Sequence, residues 1–248
     1  MFKNTGYKNI TEEEKHLLSR QELVVFNLAY MQHGALMWAP FALSDEETKI
    51  LLRFAKVFEQ TYTRFLDLQK AEAQAREAQI ELALERVRAR TMAMQKSDEL
   101  AETAYLFFQQ FKELGQNPEQ FTIGLINEKE RMMEFWHTWQ GSLLSGKVQI
   151  SIDEPHVGKN IYKVWKTQKN AAVIDISGTE LQEYNAYRKK QLAKANAHAY
   201  DDFLGAEKRR VIHVSSFSKG IVSVASHEPQ PLETIQLLER FATVFDQT

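Results

Sequence analysis

Cysteine is absent from this 248-residue chain. That excludes disulfides, thiolate metal sites, cysteine nucleophiles and any pigment held through a thioether. An excess of charge is missing too. The formal net charge is −2, so electrostatics make no case for nucleic acid or an anionic membrane as a partner. No apolar run reaches membrane-spanning length, and the opening MFKNTGYKNITEEEKH lacks the charged-then-apolar pattern of a signal peptide. A cytoplasmic protein without membrane insertion is expected. The seven histidines include no pair at i,i+4, so no metal and no cofactor is expected. His137, between Trp136 and Trp139, reads as a strand residue rather than a haem or metal ligand. Both glycine-rich phosphate-loop patterns are missing, and SLLSGK at Ser142–Lys147 reads as a turn between strands. With no catalytic constellation in view, an enzyme is not expected.

What is present first is a repeat. Glu46–Thr61, EETKILLRFAKVFEQT, matches Glu233–Thr248, ETIQLLERFATVFDQT, at nine of sixteen positions. Upstream, Val24–Trp38 parallels Arg210–Val224, with Gly34 and Gly220 in register. Each copy is an apolar run, a polar turn with glycine, a second apolar run and a helix. The period is too long for a solenoid, and duplicated domains fit it better. The first copy corresponds to the last third of the unit that follows. The chain is thus expected to start inside one unit and end inside the last helix of another.

None of the ten glycines or five prolines falls between Ser44 and Leu114, a stretch rich in Ala, Glu, Gln, Leu, Lys and Arg. Helical throughout, it would measure roughly 100 Å. SDEE at Ser44–Glu47 is a capping box that starts it. Leu66, Ala73, Ile80, Val87 and Met94 recur every seven residues, with Leu84 among the companion positions, a seam suited to a partner helix. A lone solvated helix of this length is marginal, so a parallel homodimer is expected. QKSDEL at Gln95–Leu100 offers a break, with Ser97 as a new N-cap. Arg86, Arg88 and Arg90 read as a solvated face paired with glutamates, not a nucleic-acid stripe.

Beyond Ser97 the pattern is globular. Leu100, Ala104, Phe107, Phe111 and Leu114 mark an amphipathic helix ended by Gly115. Strands are predicted at Phe121–Asn127, Met132–Trp139, Lys147–Asp153 and Ala171–Ser177, with helices at Gly158–Lys169 and from Thr179. Two further strands and the repeated helix complete an α-β-β-β-α-β-α-β-β-α order.

That order, with phrases such as IGLINEKERMMEFW, SIDEP and IDISGTELQEY, resembles the tandem GAF-like sensor regions of Bacteroidetes-type multidomain signalling proteins such as sensor histidine kinases. The resemblance implies an α+β fold: an antiparallel sheet of about six strands flanked by helices, the first and last helices together on one face. It implies a partial GAF-like unit at 1–44, a long coiled-coil-like linker at 45–96 and a GAF-like domain at 97–248. A non-catalytic sensory role in a two-component system follows, with a signal passing through the helical linker. The alternative is a structural or protein-interaction spacer without a ligand. Pockets in this fold lie between the sheet and the helices over it, so Phe135, Trp136, Trp139, Tyr162, Trp165 and Tyr184, with Asp175 and Arg188 for polarity, are the candidate walls of a small-molecule site. The alternative for these aromatics is an ordinary core. Sedimentation at the highest soluble concentration should give a dimer; a monomer there would overturn the pairing of the long helix.

Overall fold

The computed structural model describes residues 11, 13, 24–39, 41–96, 99–139, 142–143, 147–168, 171–194 and 207–246. Ser97 lies outside them, as does part of the SLLSGK turn. The chain divides into two compact units between Arg76 and Glu77, a boundary inside the long helix α1 (Asp45–Ala93). That helix begins with a complete capping box. Glu47 N–H donates to Ser44 Oγ at 3.3 Å, and the Ser44 N–H donates back to Glu47 Oε2 at 2.9 Å. Backbone and side-chain hydrogen bonds from Ser44 hold the Glu47 carboxyl below its ordinary range. α1 ends before Gln95, so the glycine-free stretch is not one helix. The Glu99 carboxylate accepts from the N–H groups of Gln95 and Lys96 at 3.1 and 3.2 Å, which satisfies backbone donors at the break.

In the first unit, β1 (Asn27–Met31) and β2 (Gly34–Trp38) form an antiparallel hairpin. The Gln32 N–H donates to Glu59 Oε1 of α1 at 2.8 Å, and His33 meets Tyr62 edge-on at 5.7 Å.

The second unit takes the rest of α1 and adds α2 (Leu100–Glu113), β3 (Gln120–Asn127), β4 (Met132–Trp139), β5 (Ser142–Leu143), β6 (Val148–Ser151) and α3 (Gly158–Lys166). It continues through β7 (Ala172–Ser177), α4 (Gly178–Lys194), β8 (Arg209–Phe217), β9 (Gly220–Ser226) and α5 (Leu232–Asp246). The strands make one antiparallel sheet in the order β5-β4-β3-β9-β8-β7, with β6 also on β4. Gly115, at φ 78, closes α2 as expected, its N–H and that of Gln116 returning to the last turn at 3.0 and 2.9 Å.

Successive strand residues face opposite sides, and here the two sides have separate cores. Phe121, Ile123, Trp136, Val222 and Val224 pack under α2, α5 and the end of α1, which contributes Ile80, Ala83, Leu84 and Val87. Met133, Phe135, Ile150, Ile174, Ile212 and Ile221 pack under α3 and α4. The seven-residue seam is therefore used, from Ile80 onward, against the protein's own domain. Arg86 and Arg90 likewise reach α2 and the residue before it. Arg86 meets Glu113 at 3.0 Å, and Arg90 meets Glu99 at 3.3 Å and Glu102 at 2.6 Å. Arg88 pairs with Glu85 on its own helix.

The repeat is present in three dimensions. Met31 faces Gly34 as Phe217 faces Gly220, and Asn27 faces Trp38 as His213 faces Val224. The environments differ. A Cβ on Gly220 would lie 1.9 Å from the Gly124 carbonyl oxygen of β3, whereas one on Gly34 would meet nothing within 4 Å. Phe241 and Val244 are 0% and 1% exposed, while their counterparts Phe54 and Val57 are each 58% exposed. Phe241→Ala should therefore cost about 3–5 kcal/mol of stability and Phe54→Ala about 0.5 kcal/mol, measured by urea unfolding. Equal losses would contradict the difference in packing.

Candidate functional site

The face under α3 and α4 is apolar except at one end. There His137 of β4 stands opposite Thr122 of β3, and Thr122 opposite Ser223 of β9, a polar row across three strands. Gln120, two residues before Thr122, and Arg210 of β8 extend it. Tyr184, Arg188 and Leu192 come down from α4. Together they line a cavity of about 50 Å³, closed by Phe135, Val148, Ile150 and Ile212 among others. That is room for about three to five water-sized groups.

Two guanidiniums dominate the electrostatics. Arg188 Nη1 donates to Asn185 Oδ1 at 3.1 Å and to Glu207 Oε2 at 3.2 Å. Its guanidinium lies 5.4 Å from the centre of the Tyr184 ring. Arg210 Nη1 donates to Glu207 Oε1 at 2.8 Å, and its Nη2 donates to Gln120 Oε1. The Glu207 side chain is 1% exposed. Burial pushes its carboxyl upward, but the charges of Arg210 and Arg188 outweigh this and hold it below the ordinary range. Burial, reinforced by Arg188 and Arg210, pushes His137 down to about 3, so its ring is neutral near pH 7. Burial also pushes the Tyr184 phenol up. Arg210 Nε has no hydrogen-bond partner among the described residues. These residues contain no group of three or more His, Cys, Asp or Glu arranged to hold a metal.

Of the residues expected to form a pocket, Phe135, Tyr184 and Arg188 line this cavity. Trp136 does not. It follows Phe135 in the strand and so faces the opposite core. Trp139, Tyr162 and Trp165 pack half-buried against the α3–α4 core outside the cavity. The Tyr162 hydroxyl donates to Glu128, and Trp165 Nε1 donates to the Ser218 carbonyl at 3.3 Å. Asp175 sits on the outer side of β7, gripped by Arg209 at 2.9 and 3.1 Å, and this hydrogen-bonded pairing lowers its pKa. Of the expected dimer seam, Ile80, Leu84 and Val87 are buried and Met94 half-buried against the α2–α5 core. Leu66 is half-buried and Ala73 exposed.

The comparisons with known proteins are sparse. No family model and no curated protein matches the chain. Among solved structures, the crystal structure of the A. aeolicus nlh2 GAF domain in an inactive state is similar at 10% identity, over 69% of this chain and 91% of that one. Its TM-score is 0.35, which carries no argument. No helix among the described residues is long and apolar enough to cross a membrane.

The sequence reading missed Thr122, Ser223, Gln120, Arg210 and Glu207, and it did not place His137 in a pocket. A signal existed for one of them. Ser223 holds the inward parity of β9, whose neighbours of that parity, Ile221 and Ala225, are apolar, and a polar residue there is the exception.

The histidine gives a pH test. Folded, His137 stays neutral down to about pH 3, while the unfolded chain takes up that proton near 6.5. Its stability contribution is full above about pH 6.5 and is lost as pH falls from there toward 3, at up to about 1.4 kcal/mol per unit. His213, lowered by burial, adds a loss of the same sign, and Glu207 adds one only at lower pH. His137→Gln should flatten the decline between pH 6.5 and 5 in urea unfolding, and an unchanged slope would contradict the burial assigned to it.

Proposed function

We propose that this chain is a sensory or regulatory region of a cytoplasmic, multidomain bacterial signalling protein of the two-component type, and that it is not an enzyme. Residues 97–248 act as a GAF-like sensing domain, 45–96 as the helical connector, and 1–44 as the end of a second, related unit. A ligand or partner of the sensing domain controls the packing of the connector, which pairs with its copy in a homodimer.

The observation that supports this most is that cavity and connector lie on opposite faces of one sheet. Thr122 faces the cavity, while its chain neighbours Phe121 and Ile123 face the core that α1 shares. His137 and Trp136, and Ser223 with Val222 and Val224, divide in the same way. A ligand that prefers one strand arrangement therefore prefers one packing of α1, and that differential affinity is all a population shift requires. Arg240 of α5 ties to Glu77 and Glu81 of α1 at 2.8 and 2.6 Å, so the two helices respond together. Because Ile80, Leu84 and Val87 are enclosed, pairing between copies falls to the earlier part of the seam, Leu66 and Ala73.

The exposed Phe54, Val57 and Phe58 favour the second reading, a protein-interaction spacer, since such residues are suited to covering by a partner. Ser223→Leu, which fills the cavity, separates the two when hydrogen exchange is followed along the chain. The sensory reading expects altered protection in 80–93 and 232–246; changes confined to the cavity strands and α4 would favour the spacer.

A further inference from the structure

We propose that the outer edge of β7 is a docking site for an extended peptide segment. The segment adds to the sheet as an antiparallel strand and carries a basic, an apolar and an acidic side chain at alternate positions, in that order. The site is separate from the cavity and does not depend on the sensory reading. Three observations converge on it.

The first is an open edge. β7 ends the sheet and pairs with β8, in register from Ala172 to Ser177. The other end of the sheet is made of short strands, β5 with two residues and β6 with four. β7 has six, AVIDIS, with no lysine, proline or glycine to discourage pairing. Among the described residues, nothing bonds to the backbone groups that face away from β8.

The second is a groove along that edge. Its volume is about 440 Å³, within the range of clefts that take ligands. Every residue from Ala172 to Ile176 lines it. Adjacent strand residues point to opposite faces, so a groove that touches all of them follows the backbone edge and not one face. The opposite wall is one side of α3 and its end, with Asn160, Lys163, Val164 and Thr167 at helical spacing.

The third is charge. At the groove, Asp175 is held by Arg209, and His156 meets Glu183 at 2.8 Å. Lys163 and Glu180 also line it, exposed and without an ion-pair partner among the described residues. The chain runs from α3 into β7 and from β7 into α4. Lys163, in the last turn of α3, therefore belongs to the Ala172 end, and Glu180, in the first turn of α4, to the Ile176 end. An antiparallel strand meets Ile176 first. Its residues opposite Ile176, Ile174 and Ala172 share their face and turn toward α3. A basic one then lies near Glu180, an apolar one beside Ile174 and Val164, and an acidic one near Lys163. β7 itself has no basic residue, so the same edge of a second copy does not match the pattern.

The test is fluorescence anisotropy of a labelled peptide, SKTVTES, titrated with the full chain. Binding should saturate, and the charge-exchanged peptide SETVTKS should bind about fivefold more weakly. Lys163→Glu combined with Glu180→Lys, both at exposed positions, should reverse that preference. Two versions of SKTVTES N-methylated at alternate residues should differ, one losing binding and the other keeping it, because only every second N–H of an added strand faces β7. Hydrogen exchange in 172–177 should slow when the peptide is bound. The proposal is overturned by no binding up to the limit of peptide solubility, or by a preference that the charge exchange fails to reverse. Equal effects of the two methylation patterns, or protection that spares 172–177, overturn it as well. The sensory reading is tested separately through Ser223→Leu and stands or falls on that result alone.

Discussion

Four fully buried phenylalanines hold the second unit in its arrangement: Phe107 and Phe111 of α2, Phe121 of β3 and Phe241 of α5. Phe107 lies 5.0 Å from both Phe121 and Phe241, and Phe111 lies 5.0 Å from Phe241 and 5.5 Å from Phe121. Rings at these spacings gain beyond the area they bury, and interlocked rings leave little freedom to slide. This contact fixes α2 and α5 against the sheet. Ile80, Leu84 and Val87 of α1 complete the same core. Most of the surrounding ion pairs are solvent-exposed and contribute little beside it.

A sheet clamped in this way can tolerate an imperfect second face. The polar row of His137, Thr122 and Ser223 replaces methyl groups with groups that must be hydrogen-bonded, and the two arginines above it must be neutralised. An apolar lining would be simpler to stabilise. Such departures from the plain folding solution concentrate at functional sites.

Much of the fold was legible in the sequence because its signals are local. The Ser44–Glu47 capping box, the helix end at Gly115 and the alternation of β3 and β4 each depend on residues close in the chain. The site was only partly legible. Phe135 and Trp136 are both aromatic, and composition groups them, but the period of a strand sends them to different cores. Arg209 and Arg210 are the same letter twice. One grips Asp175 on the outer side of the sheet and the other is buried at the cavity, a distinction that depends on which strand face is covered. The heptad seam was ambiguous for a similar reason. A seven-residue spacing says that a stripe will be covered, not whether another chain or the same one covers it.

One property of α1 gives it a thermodynamic character beyond its packing. Ala55 and Ile80 are buried, yet no residue from Lys56 to Gln79 is. Along that span the helix persists mainly by propagation, each new turn adding little because the costly nucleus already exists at both ends. With none of its residues buried, such a segment responds to temperature and to the helix propensity of its own residues more directly than the buried turns at either end do.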